Sequence, residues 1–357
     1  MVPNRIAAAR EYLKRMDLDA LLVTSMHNIR YFSGFTGSDG VVVISGDGLW
    51  FLTDSRYRTQ AEEEVHGFSL IEYRRKLEEC AALLGEQGFV RVGFEASSVT
   101  VAQHALLKEA FPSGTLVALP GEFDSMRAVK DQEELAAVEK IATLASHAFL
   151  ALIPEIKPGV TERRLALRLE WLLREAGADA ASFDFIVASG PRGGLPHAHP
   201  TDRAIGFGEL VTFDFGGVLG GYCSDETVTV AVGSADLRQQ EIYRTVKEAH
   251  DLALELVRPG VTCREVDAAA RDHITGKGFG EFFGHGTGHG VGLDIHEKPV
   301  VSLRSEEILE EGMVITIEPG IYLPQWGGVR IEDTLCVTRD GSRILTKVPK
   351  ELMILGT

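Results

Sequence analysis

Along the first third of the chain, apolar residues recur in two rhythms. Over residues 4–16, Ile6, Tyr12, Leu13 and Met16 fall on one stripe, the spacing of an amphipathic helix. Short apolar runs at 21–24, Val41–Ser45 and Leu49–Thr53 each have the length and composition of a strand. Residues 28–31 and the glycine-punctuated 34–40 predict loop. Helices are predicted over 56–65, 75–84 and 99–110, and strands over 69–73 and 90–94. This alternation of short elements predicts a small α/β domain over residues 1–121, ending at the Pro120-Gly121 turn pair.

The pattern then changes. Asp131-Gln132-Glu133-Glu134 has the form of a capping box and opens a helix running to about residue 152. Pro158-Gly159 ends it, and a second helix over 161–175 closes at Gly177. Strands are predicted over 182–189, 210–215 and 223–232. The order then repeats: a helix over 237–257, Pro259-Gly260, a helix over 262–277, and strands over 313–317 and 329–337. Two rounds of the same pattern predict an internally duplicated α+β domain over 122–357, pseudo-twofold, with a site between its halves.

Composition narrows the function classes. With 36 basic and 52 acidic side chains the formal charge is −16, which argues against nonspecific binding to nucleic acid or anionic membranes. It is compatible with cationic substrates such as free amino termini. No apolar run approaches ~20 residues, so no membrane span is expected. Cys80, Cys223, Cys263 and Cys336 are scattered and form no CxxC pair; that fits a reducing, cytoplasmic compartment and gives no thiolate zinc site. The N-terminus alternates charged with apolar residues and does not read as a signal peptide.

Candidate chemistry concentrates in 284–297, GHGTGHGVGLDIHE. His285, His289 and His296 stand there among five glycines, out of eleven histidines in the whole chain. Imidazole binds transition metals and moves protons near neutral pH, and glycine lets backbone approach a ligand closely. Carboxylates come from the strands. In Val211-Thr212-Phe213-Asp214-Phe215, alternation sets Asp214 on one face with Thr212, and an acid in so apolar a strand is costly unless it is paired or binds a metal. A glycine-rich turn around 219–221 brings Asp225 within one or two cross-strand positions of Asp214. Two such carboxylates repel one another, and divalent cations between them remove the conflict. Glu318 ends another apolar strand before Pro319-Gly320. Glu332 shares a face with Arg330 and Thr334, where Arg330 can neutralise or orient it. Asp214, Asp225, Glu318, Glu332 and one histidine make a five-donor set whose four negative charges balance two divalent cations, suiting Mn, Co or Zn.

These residues resemble the creatinase/methionine aminopeptidase-like "pita-bread" metallopeptidases, and within them the Xaa-Pro peptidases, prolidase and aminopeptidase P. The motifs are TFDFGG, YCSDET, the histidine run, TIEPG and GVRIEDT, joined by NIRYFSGFTGS and TDSRYRTQA in the N-terminal domain. The resemblance implies a creatinase-like α/β domain followed by a pita-bread catalytic domain. It makes His289 the metal-binding histidine, seven residues before His296. It further implies that Asp225 and Glu332 bridge two ions, with Asp214 on one and His289 and Glu318 on the other. His296 would contact substrate and handle protons, while His285 and His197, the latter in GLPHAHP, would line the substrate pocket. Arg330 would support the bridging Glu332. His199 has no counterpart and reads as a loop residue. A homodimer is also implied.

The sequence departs from the family at one place. Many members carry D-x-T-R-T, whereas Asp225 is followed here by Glu226-Thr227-Val228-Thr229. Val228 alternates away from Asp225, so changed packing is expected there and no loss of metal. The expected activity is hydrolysis of the Xaa-Pro bond, with Glu318 as a proton acceptor. Dipeptides are favoured over longer peptides because the chain has no long insertions. Methionine aminopeptidases share the five ligands but generally lack the first domain; a creatinase-like metal-free hydrolase or an inactive binding module would be expected to have lost them.

Overall fold

The strands expected near the N-terminus assemble into a single mixed sheet. The structure, a computed structural model, describes residues 2–356, and the chain divides into two units, Met1–Arg127 and Ala128–Thr357. In the first, the strand order is Ser69–Glu72, Leu49–Thr53, Val41–Ser45, Ala20–Val23, Arg91–Glu95, Thr115–Leu119. Ala20–Val23 and Val41–Ser45 are buried at every position, as in a sheet covered on both faces. Two details correct the sequence reading. Residues 28–31, expected as loop, belong to a helix, Met26–Ser33, that buries Ile29 and Phe32. The Ser25 hydroxyl accepts the Asn28 amide at its start, and Gly34 ends it at φ 79°. Eight residues are too few for periodicity to reveal the helix, and only its caps marked it. The edge strand Thr115–Leu119 was missed as well. It is five residues long and half exposed, so its apolar pattern is faint.

In the second unit the duplication is visible in the hydrogen bonds. Helices Gln132–Leu152 and Glu162–Glu175 serve one half, and Leu237–Leu256 and Cys263–Gly276 the other. After the first helix of each pair the Gly159 amide donates to Ile205 O (2.8 Å), and the Gly260 amide to Leu309 O (2.9 Å). Ile205 N then donates to Val160 O, and Leu309 N to Val261 O. The next helices are capped alike, by the hydroxyls of Thr161 and Thr262. One half carries a sheet ordered Ile354–Leu355, Glu226–Val232, Glu209–Phe215, Ile186–Ser189. The other carries Glu297–Val301, Gly288–Gly290, Val314–Ile317, Asp333–Thr338, Gly341–Ile344, with a hairpin of Gly320–Leu323 and Gly327–Arg330 beside it.

The segment Gln132–Glu155 is long and apolar enough to cross a membrane by length and composition alone, contrary to the reading that no stretch comes close. In the structure it lays Ile141, Ala145, Phe149 and Leu152 into an apolar core with Phe213 and Phe215.

Three predicted strands are interrupted. The span 182–189 contains Ile186–Ser189, while Ala180–Ala181 pairs in a separate small sheet. The span 223–232 breaks into Tyr222–Cys223 and Glu226–Val232, and 329–337 into Gly327–Arg330 and Asp333–Thr338. The breaks fall at Ser224-Asp225 and Ile331-Glu332. Both carboxylates therefore sit where the ladder lets go, and an alternation argument alone runs straight through such points.

Candidate metal centre

All the site residues predicted from sequence line one cavity of about 520 Å³ in the second unit: His197, Asp214, Asp225, His285, His289, His296, Glu318, Arg330 and Glu332. His199, read as a loop residue, lies in a loop and lines the same cavity. Phe183, Asp184 and Val300 complete much of the wall. None of these three stands in a motif, so nothing in the residue pattern singles them out.

Asp214 comes from strand Glu209–Phe215, where its ladder partner is Thr227. Asp225 is thus two positions away, the offset expected from the turn. The Thr227 hydroxyl donates to Glu332 Oε2 (2.7 Å), and the Glu332 amide donates to Thr227 O (3.1 Å), so one threonine holds Glu332 at both ends. One ligand atom each from Asp225, His289 and Glu332 lies within 4.8 Å of the others. His289 Nε2 is 3.5 Å from Asp225 Oδ2 and 3.6 Å from Glu318 Oε1.

Arg330 reaches two of the carboxylates. Its guanidinium meets Asp214 Oδ2 directly at 2.6 Å and Glu332 through the Thr227 hydroxyl. It also donates to Thr227 Oγ1 (3.1 Å), Pro196 O (3.2 Å) and Tyr322 Oη (2.9 Å). Tyr322, which the sequence reading passed over, lies 2.8 Å from His285 Nε2. His285 Nδ1 donates to Gly286 O (2.7 Å), so Nε2 accepts the tyrosine proton. Both ring nitrogens of His285 are therefore engaged, and it meets the cavity with ring carbons. Burial holds its pKa down, to about 4.

The histidine run is positioned from behind. The buried Asp267 carboxylate accepts from the Thr287 amide (3.1 Å) and hydroxyl (2.8 Å) and from Arg271, which in turn donates to the carbonyls of Phe283 and His285. Gly286 and Gly288 line the cavity, and the glycines also serve packing. A Cβ on Gly288 would stand 1.9 Å from Thr316 O, and one on Gly290 2.1 Å from Lys298 O. These two let the run press against its neighbouring strands.

The donors fit divalent cations on four counts. Burial, and then the neighbouring carboxylates, push Asp225 and Glu332 well above the usual carboxyl range. Burial lifts Glu318 to about 7. Asp214 Oδ1 is buried without a hydrogen-bond partner among the described residues. His289 Nδ1 faces Gly290 O (3.0 Å), a carbonyl that can only accept; burial keeps the ring neutral, and Nε2 thus turns a bare lone pair toward two carboxylates. Each of these is unfavourable alone and is relieved by positive charge between the groups.

The profile of metallopeptidase family M24 matches residues 136–339, and that of the creatinase/prolidase N-terminal domain matches 5–129. The chain belongs to metallopeptidase family M24. Its two units are accordingly a creatinase-type N-terminal domain and a pita-bread catalytic domain, and the family implies divalent metal ions. Among relatives in the family, an Xaa-Pro dipeptidase of Pyrococcus horikoshii is 39% identical, over 96% of this chain and 97% of that one. The solved structure of an Xaa-Pro dipeptidase from Bacillus anthracis is 41% identical with a TM-score of 0.97, over 99% of this chain and all of that one. An X-Pro aminopeptidase from Thermotoga maritima is 34% identical with a TM-score of 0.88, over 96% and 99%.

Proposed function

We propose that the protein hydrolyses the Xaa-Pro bond of short peptides, dipeptides above all, with two divalent ions, manganese first, held by Asp214, Asp225, His289, Glu318 and Glu332. The observation that carries this reading is the convergence of five donors from both halves of the duplicated domain on one cavity. Asp214, Asp225, Glu318 and Glu332 would supply the carboxylate oxygens that hold the ions, and His289 the one imidazole nitrogen. Bound there, the ions supply Lewis acidity, activating water and polarising the scissile carbonyl.

The chain's own groups do the rest. Glu318 accepts a proton from the attacking water. His296 is exposed on the cavity wall, its ring 4.3 Å from that of His289, and stabilises the tetrahedral species. His197, His285 and the wall carbons of Phe183 surround the proline ring, whose tertiary amide offers no N–H to satisfy. Arg330 aligns Asp214. The site uses a peptide whose free amino end meets an acidic pocket. Four buried free thiols fit a cytoplasmic protein, and we propose a homodimer on family grounds.

Aminopeptidase action on longer chains is the second reading, favoured by the likeness to the Thermotoga enzyme. Hydrolysis of Xaa-Pro compared with Xaa-Pro-Yaa under Mn decides between them. Faster dipeptide cleavage supports the first reading, faster tripeptide cleavage supports the second, and cleavage of neither overturns both.

A further inference from the structure

Two of the proposed metal-holding carboxylates are each followed in sequence by another acid. Glu226 follows Asp225 and Asp333 follows Glu332, each the first residue of its strand. Successive side chains leave a strand on opposite sides. Asp225 and Glu332 line the cavity, and Glu226 and Asp333 go behind it. There they meet one cation, the Lys350 ammonium, 2.5 Å from Glu226 Oε1 and 3.3 Å from Asp333 Oδ1. Lys350 is 6% exposed, Glu226 1% and Asp333 4%, so all three are inside the protein.

The C-terminal segment around Lys350 is tied into the same cluster. The Val348 amide donates to Glu226 Oε1 (3.1 Å). The Ser146 hydroxyl donates to Glu226 Oε2 (2.5 Å) and accepts from the Lys347 amide. The Thr346 hydroxyl bonds Asp333, His250 Nε2 stands 3.3 Å from Asp333 Oδ2, and the Tyr243 hydroxyl donates to Lys350 O. The surroundings are otherwise apolar, with Val228, Val230, Val232 and Val348 in one core. A buried ammonium between two carboxylates is a poor source of stability compared with apolar packing, but it fixes geometry.

We propose that Lys350 is a positioning residue for the metal centre: by gripping Glu226 and Asp333 together it sets the spacing of Asp225 and Glu332 on the other side of the same two backbones, and so the centre's affinity for divalent cations. This rests on the reading that Asp225 and Glu332 hold metal. Direct links between the strands, the Thr334 hydroxyl to Asp225 O, the Glu332 amide to Thr227 O and the Thr227 hydroxyl to Glu332 Oε2, join the same segments from the cavity side, and the clamp holds them from behind.

The test is titration of metal-stripped, full-length protein with Co(II) alone, followed by calorimetry and by the visible absorption of the bound ion. Lys350→Met is expected to raise the Kd at least ~10-fold and to change the absorption bands. Glu226→Gln keeps the shape of the cluster and loosens the same grip; it shifts both readouts the same way and carries the test if the methionine variant does not fold. Val348→Ala loosens the same tail through apolar packing only, and it is expected to keep the wild-type Kd and bands. Wild-type binding in either clamp variant, or an equal loss in Val348→Ala, overturns the proposal. A wild-type protein that takes up no Co(II) overturns the metal reading and this inference with it.

Discussion

Arg330 and Asp214 come from opposite halves of the duplicated domain and meet at 2.6 Å on the cavity wall. Removing the guanidinium leaves a buried carboxylate without its cation, a loss of about 3–5 kcal/mol for pairs of this kind. Bound metal would share in neutralising Asp214. Arg330→Met is therefore expected to be strongly destabilised in chelator and less so with Mn present, and to lose at least ~100-fold in kcat/KM. Urea unfolding with and without Mn, beside steady-state kinetics, checks both. An equal stability loss in the two conditions would mean that Arg330 does not share Asp214 with a cation.

His285 is neutral in the fold, its pKa held near 4 by burial, against about 6.5 in the unfolded chain. The unfolded state therefore binds the extra proton first. The stability this group contributes is complete above about pH 6.5 and is lost as pH falls toward 4, on the order of 3 kcal/mol over the window. His285→Asn should flatten that part of the stability profile, measured by denaturant unfolding at several pH values in chelator. A profile parallel to wild type would show that His285 is not the group responsible.

Tyr322 passes a hydrogen bond from Arg330 to His285. Tyr322→Phe keeps the ring and strands a buried acceptor nitrogen, which costs about 1–3 kcal/mol. The unfolding free energy should fall by about 1–3 kcal/mol. Paired with His285→Asn in a double-mutant cycle, the two losses should be less than additive, whereas simple additivity would contradict the contact.

Glu162 anchors the loop that carries His197. Its carboxylate accepts from the amide and hydroxyl of both Ser189 and Thr201 and from Arg192, with no exposed surface. Burial opposes its charge, but these bonds outweigh burial and hold the carboxyl below its ordinary range. Glu162→Ala should raise KM for an Xaa-Pro dipeptide several-fold with a smaller change in kcat, since the loop lines the pocket and supplies no metal ligand. A loss confined to kcat would place the loop's effect on the chemical step instead.

What could be read from the chain depended on the kind of signal. The duplicated α+β plan was legible because Pro158-Gly159 and Pro259-Gly260 punctuate two equivalent helix pairs, and the structure repeats their hydrogen bonds. The five donors were legible because an acid such as Asp214 among phenylalanines has to be explained. Arg330 was legible beside Glu332, but its direct contact with Asp214 was not, since the two lie far apart in sequence and the strand breaks at Ile331-Glu332. Tyr322, Glu162 and Asp267 were missed because each acts through contacts distant in sequence, and a lone tyrosine or a helix-start acid looks ordinary. The glycines of the histidine run were legible as a place of close approach, but the sequence does not separate approach to a neighbouring strand, seen at Gly288 and Gly290, from lining of the cavity, seen at Gly286 and Gly288.

Metal content and Xaa-Pro dipeptide hydrolysis, measured on the same preparations of wild type and Asp225→Ala, test the central claim most directly. Wild-type protein is expected to hold about two divalent ions per chain, to lose turnover on stripping and to regain it with Mn, whereas Asp225→Ala is expected to show neither bound metal nor turnover. Turnover that survives in metal-free protein, wild type or variant, would contradict it.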